Sequence, residues 1–192
     1  GTVTYVNNGK VYAFGHPFLN LGPTAFPMTR ARILTVLPSL DSSMKIATMG
    51  PIIGTMTQDR ATAVGGTLGA GPGEVQVSVA LTSERAPTRR FSFSVLRDPT
   101  LTPLFTYVAM LSALTAYERE SGVMTVSARG TVSFGQDGQV FIDDLFSGDT
   151  AGPSAAAAIA APVGAGMANE FRAVTQERVD VEFRASERRE ST

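Results

Sequence analysis

The chain has a single histidine, His16, in the run AFGHPFLN at residues 13–20, set between Gly15 and Pro17. An imidazole titrates near neutrality, so it can serve as a general base if a nucleophile and an orienting acid lie within hydrogen-bond reach. Asp59 follows it by 43 residues, a separation that the histidine and aspartate of a chymotrypsin-like barrel allow. The competing role for Asp59 is an ion pair with Arg60 or Arg30, or the capping of a turn. Hydroxyl candidates gather in FSGDTAGPS at 146–154, where Ser147, Thr150 and Ser154 stand. GDTAGP differs from the GDSGGP of trypsin-like proteases at the serine and at the glycine after it. A threonine hydroxyl can attack a carbonyl, but Thr150 or Ser154 also suits the start of the alanine-rich stretch that follows, accepting a hydrogen bond from a free N–H of its first turn. With no such partners, His16 is a turn residue whose ring bonds a nearby carbonyl while Gly15 and Pro17 reverse the chain.

Other clusters carry less chemistry. Asp143 and Asp144 are adjacent, and neighbours on a strand point to opposite faces, so only one can face a given site. Arg89-Arg90 and Arg188-Arg189 read as surface charge. The glycine-rich ATAVGGTLGAGPGE, 61–74, lacks the GK[ST] of a phosphate-cradling loop and starts no helix. Close backbone packing or bulges account for it better.

The elements that must position these groups are mostly strands. TVTYV (2–6) and KVYAF (10–14) flank Asn7-Asn8-Gly9 and predict a hairpin whose second strand runs straight into His16. Residues 18–28 read as an ordered loop covering something, RILTVL from residue 30 as a strand, and 42–48 and 51–58 as strands broken at Gly50-Pro51. Two further hairpins are predicted at 74–81 with 89–96, and at 124–134 with 139–146, and VDVEF near the end alternates as a final strand. Leu104, Val108, Leu111 and Leu114 recur at helical spacing after Pro103, which predicts a helix over 101–120, packed on the sheet. Residues 155–168 read as a small-residue helix interrupted by Pro162. The fold class expected is mostly β (α+β), with antiparallel hairpins forming a barrel or sandwich and two packed helices. One domain is expected over 1–185, followed by a charged, frayed tail at 186–192.

Composition narrows the function classes. A chain of 192 residues can bury a core without staples. Its net charge of -1 gives no electrostatic reason for a nucleic-acid partner. With no cysteine and one histidine, thiolate catalysis, zinc fingers and His-rich metal sites are excluded, any metal would need oxygen ligands, and no cofactor or metal is expected. The charge-free stretches 101–117 and 150–168 are too short, or too weakly apolar, for a membrane span. The strand-like opening GTVTYV, without an initiator methionine or an export signal, leads us to expect a piece of a longer chain.

The run GTVTYVNNGKVYAFGHPF resembles the SpoIVB-type serine peptidase family, as do MKIA at 44–47 and IIGTMTQDRATAVGGTLG at 52–69. The likeness covers about the first 70 residues. It implies that His16 matches the family's catalytic histidine, and it implies an exported, bacterial cell-envelope or periplasmic setting. The family's GMSGSPI nucleophile segment has no counterpart here. The expected function is therefore a peptidase-like domain without the standard serine, a structural or binding module with a protein or peptide partner. The alternatives are an active serine or threonine peptidase using His16 as base, and a subunit of a larger assembly.

Overall fold

The computed structural model describes residues 2–41, 43–84, 86–116, 123–172 and 174–186. The tail predicted at 186–192 and the end of the helix predicted over 101–120 fall largely outside them. The chain divides into two compact units, Gly1–Gly73 and Glu74–Thr192, with their boundary inside the span 1–185 that the sequence predicts as one domain. The architecture is mostly β, with two open five-stranded sheets and two helices. Neither sheet closes into a barrel.

The first unit is a sheet of β1 (Val3–Asn7), β2 (Lys10–Ala13), β3 (Gly22–Leu37), β4 (Met44–Arg60) and β5 (Ala63–Leu68), in the order β1-β2-β5-β4-β3. Every neighbouring pair is antiparallel. Asn8 and Gly9 both take positive φ, 46° and 74°, as a two-residue hairpin turn matched to the strand twist requires. Two expectations are corrected here. Most of the loop predicted at 18–28 is the start of β3, and Gly50-Pro51 does not break β4. Bulges absorb the prolines and the irregular register, with shifts after Pro23, Met28, Thr29 and Ile33.

Within 61–74, Gly66 and Gly71 serve close packing, whereas a Cβ on Gly69 would meet open space. A Cβ on Gly66 would lie 2.7 Å from the Met28 sulfur and 2.9 Å from Met56 Cα, and it would press on the Thr55 carbonyl. Gly66→Ala is expected to lower stability by about 2–3 kcal/mol through overpacking, read from the midpoint of urea unfolding at unchanged slope.

The second unit orders its strands β7-β6-β10-β8-β9. These are β6 (Glu74–Ser83), β7 (Ala86–Leu96), β8 (Met124–Ser133), β9 (Gln139–Gly148) and β10 (Arg178–Ser186). The last strand is thus central, parallel to β6 and antiparallel to β8. Its VDVEF alternation buries Val179, Val181 and Phe183, which join Val75, Val77 and Val79 of β6 and Val126 and Val132 of β8 in one core. Helices α1 (Leu101–Thr115) and α2 (Ala151–Met167) pack on each other and on this sheet, α1 over β6 and β7, α2 over β8 and β9.

The start of α1 is set by Asp98, whose carboxylate accepts from the amides of Thr100 and Leu101 at 2.9 and 3.0 Å. Those amides have no partner within the helix, so a side chain ahead of it is needed to satisfy them. The face that α1 buries is only in part the leucine stripe, since Leu114 is buried and Leu111 packs against the core. Thr102, Thr106, Ala109, Met110, Ala113 and Leu114 point inward, while Leu104 and Val108 are exposed. Small residues win the interior because α2 is built of alanine and glycine, and two such helices approach more closely than a leucine stripe allows. α2 itself begins at Ala151, four residues before the predicted start, and carries Pro162 within it. No helix among the described residues is long and apolar enough to cross a membrane.

Candidate functional site

His16 lies on the connection between β2 and β3, at residues 14–21. This corner is conformationally costly. Phe14, Gly15, Asn20 and Gly22 all have positive φ, at 77°, 70°, 58° and 76°. For a bulky side chain such as Phe14 the left-handed region costs about 1–2 kcal/mol, so other contacts must hold the corner in place. The Phe14 amide donates to the Thr2 carbonyl at 2.9 Å. Aromatic rings then run in a string: His16 lies 5.5 Å from Phe14, Phe14 6.1 Å from Phe18, and Phe18 6.3 Å from Phe26, the last two contacts edge-on.

Asp59 supplies the main restraint. It is on β4, paired with Gly22 on one side and Val64 on the other. Met56 and Asp59 are three residues apart, so a regular strand would send them to opposite faces; the register shift between Met56 and Gln58 allows both to be buried. The carboxylate accepts from the amides of Phe18 at 2.7 Å, Leu19 at 2.6 Å and Leu21 at 3.4 Å. Burial pushes its pKa up, but the amides of Phe18, Leu19, Leu21 and Asn20 outweigh that and hold it below the ordinary 3.8. The predicted orienting acid is therefore brought to the histidine corner, where it grips the backbone that follows the imidazole. Of the roles weighed from the sequence, the capping of a turn describes this geometry, in place of a pair with Arg30 or Arg60.

The His16 ring is exposed, and its Nδ1 lies 2.7 Å from the Pro17 carbonyl oxygen. A carbonyl only accepts, so Nδ1 carries the hydrogen and the neutral ring keeps its lone pair on Nε2. A peptide carbonyl thus orients the ring where a serine-protease site has a carboxylate.

The hydroxyl candidates belong to the second unit. Ser147, on β9, shares a hydrogen bond of 3.1 Å with the Thr125 hydroxyl across the ladder. Thr150 occupies the residue before α2, as the capping reading requires, but makes no side-chain cap bond; its carbonyl accepts from the Ser154 amide at 2.9 Å instead. Ser154 sits in the first turn of that helix.

What the sequence reading missed is a cavity of about 500 Å³ in the first unit. Val3, Val11, Phe14, Phe18, Phe26 and Val64 are among its walls, and no charged side chain lines it. Its sequence signal is the spacing of Phe14, Phe18 and Phe26 through a glycine- and proline-rich run, which the expectation of a covering loop caught only in part. Such a site can take an apolar side chain or a short apolar segment; Thr29 is the one polar side chain in its wall, and no charged group is there to fix a charged ligand.

No protein-family model, curated protein or solved structure matches the chain.

Proposed function

We propose that the chain is a SpoIVB-peptidase-like binding module of the bacterial envelope, which uses the apolar cavity of its first unit to hold an apolar segment of a protein or peptide. One observation carries this reading. The acid that would orient the histidine is occupied by backbone amides, while the aromatic string from that same corner forms the wall of an uncharged cavity. The corner's strained backbone then serves to present Phe14 and Phe18. Its test is titration with a fluorophore-labelled peptide rich in leucine, valine and phenylalanine. Phe18 is exposed, so Phe18→Ala is expected to keep the fold and to weaken peptide binding at least tenfold; equal binding by wild type and variant would remove the cavity from the proposal.

A second reading, a serine or threonine peptidase, is favoured by the tautomer of His16, since an Nε2 lone pair is what a general base needs. On the binding reading no hydroxyl of the chain is activated, because Asp59 bonds backbone amides and the His16 ring bonds the Pro17 carbonyl, so no carboxylate orients the ring. The expected result is no labelling by a fluorophosphonate probe, and a His16→Ala variant within about 0.5 kcal/mol of wild-type stability, as for an exposed side chain. Labelling that disappears in His16→Ala would establish the peptidase instead.

A further inference from the structure

The β3–β4 hairpin extends well beyond its sheet. β4 pairs with β5 only between Gly54 and Arg60, whereas its pairing with β3 continues from there out to Leu37 and Met44. From Ala31 to Met49 the described chain is a two-stranded ribbon with no third strand paired to either side, touched on the β4 side by the bond from Lys45 to the Thr2 hydroxyl at 3.4 Å. An isolated two-stranded ribbon is marginal in water unless one face is covered.

This ribbon is apolar on both faces. Cross-strand pairs put Leu37 with Met44 and Thr35 with Ile46 on one face, and Ile33 with Ala47 and Ala31 with Met49 on the other. Leu40 is fully exposed, Met49 is 81% exposed, and nine large apolar side chains between Ile33 and Ile52 are exposed in all. At roughly 100 Å² each they offer on the order of 900 Å², close to the ~800 Å² that each partner contributes to a stable protein interface.

Charge indicates what covers them. The first unit carries Lys10, Arg30, Arg32, Lys45 and Arg60 against Asp41 and Asp59. The whole chain has a net charge of -1, so the acidic excess lies in the second unit. Three of the five cations are on the ribbon or at its base. The second unit also has an open edge, β9, where Val140, Phe141 and Leu145 are exposed beside Asp143 and Asp144. Asp143 is shared with Arg129 at 3.0 Å in an exposed pair, which leaves Asp144 as the better partner for an incoming arginine.

We propose that the ribbon is an assembly arm that docks on a second copy of this chain, its Arg30 and Arg32 meeting the acidic β9 edge of that copy. Exchanged both ways, the contact makes a two-fold dimer in which each arm and each β9 edge is covered. Arm against arm would bring like charges together, so the exchange between unlike units is favoured. This goes beyond the peptide-binding reading, since the arm's distal residues do not line the cavity.

The test is the mass in solution of the 192-residue chain, by light scattering after gel filtration, over a concentration series. Wild type is expected to be a dimer. R30E/R32E and D144R are each expected to dissociate about tenfold more readily or worse, each still folded by circular dichroism at the temperature of the measurement because all three side chains are at the surface. An equimolar mixture of the two variants is expected to recover the dimer, since the reversed charges match again. A wild-type monomer throughout the series would overturn the proposal. So would a dimer indifferent to both reversals, or a monomer that floats with anionic phospholipid vesicles in an arm-dependent way, which would make the arm a membrane element.

Discussion

Asp59→Ala is expected to destabilise the protein by about 3 kcal/mol and to free the 14–21 corner, although Asp59 makes no ion pair among the described residues. Several amides lose a charged acceptor at once, and hydrogen bonds to charged groups contribute about 1.5–3 kcal/mol where a neutral one contributes about 1. The strained φ of Phe14 and Asn20 then has less to oppose it. Asp59→Asn keeps one acceptor oxygen and is expected to lose about half as much. Chemical unfolding measures the stability, and amide hydrogen exchange at Phe18 and Leu19 reports the corner directly. The pH dependence has a fixed sign. The folded pKa of Asp59 lies below its ordinary 3.8, so its contribution is complete above the unfolded value and is lost as the pH falls through the folded one. Between neutral pH and 3.8 the gap between wild type and Asp59→Ala should stay constant, and below 3.8 it should narrow. A gap that widens on acidification would mean that the carboxylate is not held by those amides.

Phe183→Ala should cost more, about 3–5 kcal/mol. Phe183 is fully buried on β10, the central strand, with fully buried neighbours on the strands at both sides. The flanking sheet and helices cannot collapse into the space from one direction, so the lost contacts and the remaining cavity add. The expected signs are a fall in the urea midpoint and increased binding of an apolar dye. Phe183→Leu keeps most of the volume and should recover more than half of the loss.

Much of this fold is legible in the sequence where neighbouring residues decide it. Asn8-Gly9 dictates a turn with positive φ and so a hairpin. Alternation in EVQVSVAL, RRFSFSVL and VDVEF marks strands with one buried face, and the buried residues are those the alternation selects. The break at Asp98 begins a helix because a carboxylate there satisfies amides the helix cannot. The site is half legible: His16 stands out by its type and Asp59 by its spacing from it, and the structure brings both to one corner.

What each residue does there was decided only by the tertiary structure. A bulge at Met56–Gln58, invisible to periodicity, turns Asp59 inward onto backbone amides. The inward face of α1 depends on the small residues of the helix it meets, so Leu104 and Val108 of the leucine stripe stay exposed. The last strand enters between two earlier hairpins, beside β6 in parallel, because its alternating apolar face completes a core that neither hairpin closes alone. The length of the β3–β4 ribbon, too, is set by where β5 stops pairing. By itself the sequence determined the elements, the turns and the residues able to do chemistry, all of which act over a few positions along the chain. Which strand is central, which face is buried and whether an acid meets a ring or an amide depend on contacts between distant segments, and there small shifts in register reverse the outcome.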